Sequence, residues 1–354
     1  MKHLELFAGV GGFRMAMDLL TADNIMEIET VAYSEIDVNA TLTYCANYQT
    51  DNEVKIGDIV SFVADVKKIN GLPDFDILSG GFPCQTFSMM GKQLGFAEDR
   101  GQMFFRIMDI LKQRHPKYVL LENVKNLLTH DKGKTFEVIR KTLENEGYIV
   151  HFDIFNTLDY GLPQKRKRLI IFARQKEFGE FNFDNELVKD CFSEINREKC
   201  SLRFYNSVID ILTKNESTKY YLSEKIKPTI LSDGSSAFKS NSDIDQIIAR
   251  PLTATMHKMH RACQDNYYSD VFINSNGEIR PSETMDKNEL AKIPIRKLTP
   301  REAFMLQGFP EDFAAKAQNE KIANGALYKQ AGNAVSVNTI YAAMYYLITK
   351  KIII

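Results

Sequence analysis

The stretch that decides the fold lies near the amino terminus and reads Leu4-Glu5-Leu6-Phe7-Ala8-Gly9-Val10-Gly11-Gly12-Phe13. An apolar run leads into closely spaced glycines, and an amphipathic stretch follows directly, which predicts a strand, a tight turn and a helix. Glycines in such a turn let a ligand approach the backbone and the helix N-terminus. A nicotinamide or flavin site is disfavoured, because the dinucleotide fingerprint needs a third glycine where this chain has Arg14.

The same alternation of apolar runs and amphipathic stretches continues to about residue 174. It predicts βαβ units, and hence an α/β fold with a mostly parallel sheet and helices on both faces. The predicted strands cover residues 4–7, 30–34, 75–78, 118–121, 149–155 and 168–173, with a further strand ending near residue 57. The predicted helices cover residues 12–20, 38–48, 102–112, 134–146 and 335–348.

The alternation is lost after Arg174, and residues 176–294 are polar and irregular. Ordered signals return near Arg296 and end in an apolar helix. We therefore expect a binding and catalytic domain at 1–175 and a smaller, irregular recognition domain at 176–294. The C-terminal segment 295–354 is expected to supply a hinge and a helix that returns to the first domain.

The composition is that of a globular chain, with 44% hydrophobic residues, 26% charged residues, 10 Pro and 19 Gly in 354 residues. The 45 Lys and Arg nearly balance the 46 Asp and Glu, so the net charge of −1 gives no sign of a nucleic-acid partner. Five cysteines without a CxxC pair or zinc-ligand spacing predict free thiols in a reducing compartment and no metal site. No apolar run approaches the roughly 18 residues of a membrane helix, which indicates a cytoplasmic protein without a membrane partner.

Two acidic residues stand at the ends of predicted strands. Glu35 follows the second strand, where a carboxylate can accept hydrogen bonds from two ribose hydroxyls, and Asp58 follows the third, where it can meet an adenine amine. With the glycine turn they predict a nucleoside pocket at the carboxyl edge of the sheet. The alternative is that both acids cap helices or lie in solvated loops.

A thiol and a third acid follow at the next strand ends. Cys84 lies in the loop Gly80-Gly81-Phe82-Pro83-Cys84-Gln85. Exposed amides or a nearby cation can lower a thiol pKa from its ordinary value of about 8.5, so Cys84 is a candidate nucleophile; the alternative is a small buried apolar side chain. Burial of Glu122 at the next strand end would favour a protonated carboxyl that donates a hydrogen bond or acts as general acid.

Four consecutive cations, Lys165 to Arg168, precede the last predicted strand of this region. Side chains alternate on a strand, so Arg166 and Arg168 are expected on one face. Two arginines on one face suit the reading of a phosphate or a base carbonyl. The alternative is a solvated charged face.

In this order the motifs resemble those of bacterial cytosine-5 DNA methyltransferases of the restriction-modification type. The resemblance rests on residues 7–12, 81–85, 122–124, 164–168, 296–302, 307–310 and 330–335. It implies a Rossmann-like domain that uses S-adenosylmethionine, releases S-adenosylhomocysteine and needs no metal, with Phe7 and Ile36 sandwiching the adenine. The implied cofactor contacts are Phe7, Ala8, Gly9, Gly11, Gly12, Glu35, Ile36, Asp58, Ile59, Met103, Asn333 and Ala334.

The resemblance also implies a mechanism. The target cytosine leaves the duplex, Cys84 attacks its carbon 6, and Glu122 binds ring nitrogen 3, so that carbon 5 takes the methyl group. Arg168 would contact the cytosine carbonyl, and Arg166 would support the nucleophile region or a phosphate. Two further residues are implied to hold the pocket's geometry: Pro83 and Asn123.

DNA contacts are expected from two segments, the stretch after Cys84 and the recognition region around residues 250–268, where basic and amide side chains interleave with aromatics. The family usually has a Thr where this chain has Pro251, so Thr253 or Thr255 is expected to take over its role. The predicted DNA contacts are Gln85, Ser88, Lys92, Arg100, Thr253, Thr255, His257 and Arg261.

The partner that follows from these expectations is double-stranded DNA, with a cognate endonuclease acting separately. The protein is expected to be a monomer that associates with the nucleoid through DNA. One rival is an RNA cytosine methyltransferase with the same catalytic domain, which roughly 120 residues of recognition region disfavour. The other is a catalytically silent DNA-binding scaffold, which would have no reason to keep Cys84, Glu122 and Arg168 together.

Overall fold

The computed structural model describes residues 1–83, 103–235 and 238–354. Backbone contacts divide the chain into two compact units. The first unit comprises residues 1–156, 167–202 and 335–354, and the second comprises residues 157–166 and 203–334. These boundaries differ from the expected ones, since residues 176–202 group with the first unit and residues 295–334 with the second. Among the described residues, no helix combines the length and apolarity needed to cross a bilayer.

The first unit is built on a seven-stranded sheet with the strand order β3-β2-β1-β4-β5-β7-β6. Its strands are β1 Lys2–Leu6, β2 Glu29–Tyr33, β3 Val54–Lys55, β4 Ile77–Gly81, β5 Tyr118–Val124, β6 Tyr148–Asn156 and β7 Lys167–Gln175. Strands β1 to β5 pair in parallel, whereas β7 is antiparallel to both β5 and β6. The predicted α/β fold with a mostly parallel sheet is confirmed.

Helices connect and cover these strands. The helices of the first unit are α1 Gly12–Ala22, α2 Val38–Asn47, α3 Ile59–Val63, α4 Val66–Asn70, α5 Met103–Arg114, α6 Lys134–Asn145, α7 Asn185–Ser193 and α15 Val337–Thr349. The apolar faces of α3 to α6 share one core with the strands, while α15 packs against α1 and α7. Repeated apolar residues at helical spacing produce these buried faces, as the sequence periodicity predicts.

The order of the strands decides where a ligand can bind. The chain runs outward from β1 to β3, then returns to place β4 on the other side of β1. In such sheets the crevice outside the carboxyl ends lies where the order reverses. The loops that follow β1 and β4 border that crevice, so the glycine loop and the loop leading to Cys84 are neighbours in the first unit.

The second unit has its own elements and its own apolar core. Its helices are α8 Lys227–Leu231, α9 Asp270–Asn274, α10 Pro281–Thr284, α11 Lys287–Leu290, α12 Pro300–Met305, α13 Phe313–Asn319 and α14 Asn324–Asn333. Its strands are β8 Gly234–Ser235, β9 Phe238–Lys239, β10 Tyr267–Ser269 and β11 Ile295–Lys297, in two antiparallel pairs. Short elements explain why the sequence pattern reads as irregular in this region.

Candidate active site

The glycine loop between β1 and α1 has an uncommon backbone. Phe7, Gly9 and Gly11 have φ angles of 53°, 56° and 81°. A Cβ on Gly12 would lie 2.4 Å from Val335 Cγ2, which explains why no larger residue fits there. A Cβ on Gly9 would meet no atom within 4 Å, so the loop is open at that point.

Glu35 closes this loop from the end of β2. Its carboxylate accepts hydrogen bonds from the Gly9 amide (2.7 Å) and the Asp37 amide (2.7 Å). The next residue, Ile36, is 73% exposed, although it is aliphatic. An exposed aliphatic side chain beside a carboxylate and an open glycine suits the flat apolar face and polar edge of a nucleoside.

Asp58 and Ile59 follow β3, and their contacts differ from those predicted for a nucleoside pocket. The Asp58 carboxylate caps α3, accepting from the amides of Val60 (3.0 Å) and Ser61 (3.4 Å). This is the helix-cap alternative raised by the sequence. The Ile59 side chain is 4% exposed and belongs to the apolar core. Met103 also packs against that core.

Asn123 holds the backbone that leads to the predicted nucleophile. Its amide nitrogen donates to the Phe82 carbonyl at 2.8 Å, and its amide oxygen accepts from the Val124 amide at 2.9 Å. Phe82 is buried and Pro83 is exposed. Five predicted site residues lie outside the described residues: Cys84, Gln85, Ser88, Lys92 and Arg100.

Glu122 and Arg168 meet on one face of the sheet. In the antiparallel pairing of β5 with β7, Arg168 lies opposite Val124, one diagonal step from Glu122. The Arg168 Nε lies 3.0 Å from Glu122 Oε1, and the two side chains are 19% and 11% exposed. A Cβ on Gly81 would be 3.4 Å from Glu122 Oε2, so the absence of a side chain there leaves room beside the carboxylate.

Arg166 lies one residue before strand β7, which begins at Lys167 and includes Arg168. The Arg166 guanidinium is buried in the second unit and donates to the carbonyls of Leu252 (3.0 Å), Gly332 (3.1 Å) and Ala334 (2.9 Å). Through these three bonds Arg166 holds the backbone around it.

Gln164 is a buried residue of the same segment to which the sequence analysis gave no role. Its Oε1 accepts from the Leu252 amide (2.9 Å) and its Nε2 donates to the Leu306 carbonyl (2.9 Å). Leu252 is therefore held at its amide by Gln164 and at its carbonyl by Arg166. In the sequence, the only sign of these two bonds to Leu252 is that Gln164 is a polar residue two positions before Arg166.

The recognition segment follows directly from Leu252. Thr253 and Thr255 bring their hydroxyls within 3.5 Å of each other, and Thr255 is exposed. Gly332 lies against this backbone, because a Cβ there would be 2.2 Å from the Thr253 carbonyl carbon. Asn333 is exposed and Ala334 is 8% exposed. Two further predicted DNA contacts are half-buried in the same region: His257 and Arg261.

Two buried ionisable side chains, Glu5 and His3, lie in β1, the strand that leads into the glycine loop. Glu5 is buried within β1, and burial raises the pKa of its carboxyl to about 8. Burial also lowers the pKa of His3 to about 3, while its ring bonds Thr30 (2.9 Å) and Ser79 (2.7 Å). A charged residue inside an apolar strand was the available signal. Across the described ranges, no group of three or more His, Cys, Asp or Glu side chains is arranged to hold a metal ion.

Known proteins resemble this chain over nearly its whole length. The family model for C-5 cytosine-specific DNA methylases matches residues 1–349. Type II methyltransferase M1.ScrFI of Lactococcus lactis subsp. cremoris is 38% identical over 342 residues, covering 96% of this chain and 76% of that protein. Type II methyltransferase M.NgoBI of Neisseria gonorrhoeae is 34% identical over 343 residues, covering 96% and 91%.

Solved structures share the fold. The Entamoeba histolytica methyltransferase EhMeth superposes with a TM-score of 0.75 at 20% identity, covering 99% of this chain and 98% of that one. The S. pombe Dnmt2 methyltransferase gives 0.74 at 19% identity, with 100% of both chains covered. The chain therefore belongs to the C-5 cytosine-specific DNA methylase family and is a DNA cytosine-5 methyltransferase.

Proposed function

We propose that the protein methylates carbon 5 of a flipped-out cytosine within a specific short sequence of duplex DNA, through a covalent adduct between Cys84 and carbon 6. The observation that carries this proposal is the Glu122–Arg168 pair, 3.0 Å apart at the end of β5. It stands beside Gly81, three residues before Cys84. A nucleophile and a positioned acid at adjoining strand ends are what covalent activation of a cytosine ring requires.

The methyl donor we propose is S-adenosylmethionine, and the residues around the glycine loop fit it. Gly9 leaves open space, Glu35 offers carboxylate oxygens to ribose hydroxyls, and Ile36 exposes an aliphatic face for adenine. The donor supplies an electrophilic methyl group on sulfonium and leaves as S-adenosylhomocysteine. Asn333 and Ala334 are proposed as further contacts. Asp58 would have to share its carboxylate between the α3 amides and the adenine amine.

Glu122 and Arg168 have distinct roles in the proposed reaction. Arg168 fixes the orientation of the Glu122 carboxyl through its Nε and offers its guanidinium to the cytosine carbonyl. The Glu122 carboxyl, protonated, donates to ring nitrogen 3 as electron density moves onto the ring. Asn123, by holding the Phe82 carbonyl, fixes the backbone that presents Cys84.

The Cys84 thiolate forms a bond to carbon 6, and the ring's 5,6 π electrons become available at carbon 5 while nitrogen 3 gains the proton from Glu122. After methylation, a base removes the proton from carbon 5, the electron pair re-forms the 5,6 double bond and the thiolate is expelled. Glu122 recovers its proton from nitrogen 3, so both residues return to their starting states.

The second unit is proposed to bind the DNA. It carries 20 Lys and Arg against 17 Asp and Glu, whereas the first unit carries 25 against 29. A local positive excess inside a nearly neutral chain supports attraction to phosphates. Arg166 and Gln164 would hold the backbone from which Thr253 reaches the DNA. The named relatives belong to Type II systems, so we propose that methylation protects host DNA from a separate endonuclease.

The test uses duplex DNA in which the target cytosine is 5-fluorocytosine, whose carbon 5 substituent cannot be lost. With S-adenosylmethionine present, the wild type is expected to form a denaturation-resistant adduct that Cys84→Ser does not form. The target is found first by bisulfite sequencing of DNA from expressing cells. Failure of the wild type to form an adduct on DNA that it methylates would overturn the covalent mechanism. Methylation of tRNA and not of duplex DNA in parallel assays would favour the RNA enzyme instead.

A further inference from the structure

The glycine loop includes one residue in a backbone conformation that its side chain disfavours. Phe7 is not a glycine, yet its φ of 53° lies in the left-handed region, and Gly9 and Gly11 follow it at 56° and 81°. Glycine adopts such angles without steric cost, so the strained residue is Phe7. A strained residue persists where surrounding groups hold the loop, and hydrogen bonds reach this loop from two sides.

The amide side of the loop is held from β2. The Ala8 amide donates to the Ser34 carbonyl (2.8 Å), and the Gly9 amide donates to the Glu35 carboxylate (2.7 Å). Both partners belong to the segment that the sequence already predicts as part of the site. The carbonyls on the other side of the loop accept hydrogen bonds from a different element.

The carbonyl side is held by Tyr48, which ends α2. Its hydroxyl lies 2.7 Å from the Gly11 carbonyl and 3.2 Å from the Val10 carbonyl. Burial raises the pKa of Tyr48 well above its ordinary value. The hydroxyl therefore keeps its proton and donates it to these carbonyls.

The ring of Tyr48 is itself fixed in place. The Tyr44 ring lies 4.7 Å away, centroid to centroid, and the Arg14 guanidinium lies 5.5 Å from the Tyr48 centroid. A Cβ on Gly11 would lie 2.5 Å from Tyr48 Cε2, so the loop packs directly on the ring. Because its ring is packed in this way, the Tyr48 hydroxyl can fix the conformation of the loop.

We propose that Tyr48 is a positioning residue for cofactor binding, and that its hydroxyl holds the Val10 and Gly11 carbonyls so that the loop is already shaped to receive S-adenosylmethionine. This rests on the proposed function, which puts the cofactor at this loop. The hydroxyl is buried and bonds backbone carbonyls of the loop, so its role here is to shape the site. Its loss therefore weakens binding in the ground state and the transition state alike, which raises KM and leaves kcat unchanged.

The test compares Tyr48→Phe with the matched control Tyr44→Phe. Both remove one buried hydroxyl from α2 and keep the ring, but the Tyr44 hydroxyl donates to the Glu5 carboxylate (3.2 Å) and not to the loop. Calorimetric titration measures the Kd for S-adenosylmethionine and for S-adenosylhomocysteine without DNA. Tyr48→Phe is expected to raise both by about 3- to 10-fold, as for one hydrogen bond, with kcat at saturating cofactor unchanged and Tyr44→Phe like the wild type.

Two results would overturn the inference. Equal Kd values for Tyr48→Phe and the wild type would show that the hydroxyl does not shape the loop. A rise shared equally by Tyr44→Phe would show a general loss of packing in α2. Absence of cofactor binding by the wild type would be a different failure, because it would overturn the proposed function itself.

Discussion

Two arginine–glutamate pairs in this protein have the same chemistry and different surroundings. In the first unit, Arg168 meets Glu122 at 3.0 Å, and both side chains still reach solvent, at 19% and 11% exposure. In the second unit, Arg296 meets Glu302 at 2.8 Å, and both side chains are 0% exposed. The first pair stands at a strand end beside a glycine, and the second lies inside a unit core.

The Glu302 carboxylate of the buried pair is saturated by its neighbours. The two Glu302 oxygens accept from two Arg296 nitrogens and from the amides of Thr213 (2.8 Å) and Thr299 (2.7 Å). Glu302 also completes a capping box with Thr299 at the start of α12. Every direction around this carboxylate is taken, so the pair can only support the fold.

The residue types of an ion pair therefore do not reveal its role. What separates the pairs is how deeply they are buried and what bonds the carboxylate. Glu122 lies beside Gly81 and is partly exposed, whereas the amides of Thr213 and Thr299 bond the fully buried Glu302. Substituting the two glutamates in parallel therefore tests directly whether their roles differ.

The largest effect is expected for Glu122→Gln. An amide keeps the size and the contact with Arg168 but cannot pass a proton to ring nitrogen 3, so methyl transfer should fall by roughly 10²- to 10⁴-fold. Thermal unfolding should change little, since the site is at a solvent-accessible strand end. Tritium transfer from labelled cofactor to cognate DNA measures the first quantity, and activity within tenfold of wild type would contradict the assigned role.

Glu302→Gln is expected to have a smaller effect, and to lower stability instead of activity. It leaves the buried Arg296 without a countercharge, which should cost about 3–5 kcal/mol of stability. Urea unfolding followed by circular dichroism measures the loss. Activity per folded molecule should be retained at low temperature, and the double variant Arg296→Met, Glu302→Leu should recover much of the stability. If Glu302→Gln instead lost activity while remaining as stable as wild type, the distinction between the pairs would collapse.

The smallest effect concerns a third carboxylate, Glu5, which is buried without an arginine side chain bonded to it. Burial raises its pKa from 4.5 to about 8 in the folded protein. The folded state therefore holds this proton more tightly than the unfolded state, so the stability linked to it is complete below pH 4.5 and is lost as pH rises toward 8.

The measurement is urea unfolding of the wild type and Glu5→Gln at several pH values. Relative to Glu5→Gln, the wild type should lose about 1.4 kcal/mol between roughly pH 6 and 7. The difference between the two proteins should stop changing once pH exceeds the folded pKa. A difference that stays flat across this range would mean that Glu5 is ionised in the folded state.

Much of the first unit was predictable, because its signals are local. Strand β1, the glycine loop and α1 occupy residues 2–22 without a break, and each follows from the spacing of apolar residues and glycines over a few positions. The order of motifs along the chain then indicated the family. Cys84 and Glu122 are candidates because they follow or end predicted strands, and Arg168 because it closes a run of four cations. Antiparallel pairing of β7 with β5 then places Arg168 beside Glu122.

For the second unit, the sequence predicted only that the alternation of apolar runs and amphipathic stretches is lost. Its elements are short, and its buried polar groups bond partners far away in the sequence. Gln164 shows the difficulty, since its amide bonds residues 88 and 142 positions away. No local pattern encodes such a pairing, so the spacing of Gln164 from Arg166 does not reveal which residues its amide bonds.

By itself, the sequence determined the α/β alternation, the glycine loop and the set of chemically competent residues, because these depend on neighbours a few positions apart. Tertiary structure alone decided what each charged residue does. It committed Arg166 to the carbonyls of Leu252, Gly332 and Ala334, up to 168 positions away, while Arg168 stayed beside Glu122. The physical reason is that a charge acts according to the groups that desolvate and pair it, and chain folding brings those groups together.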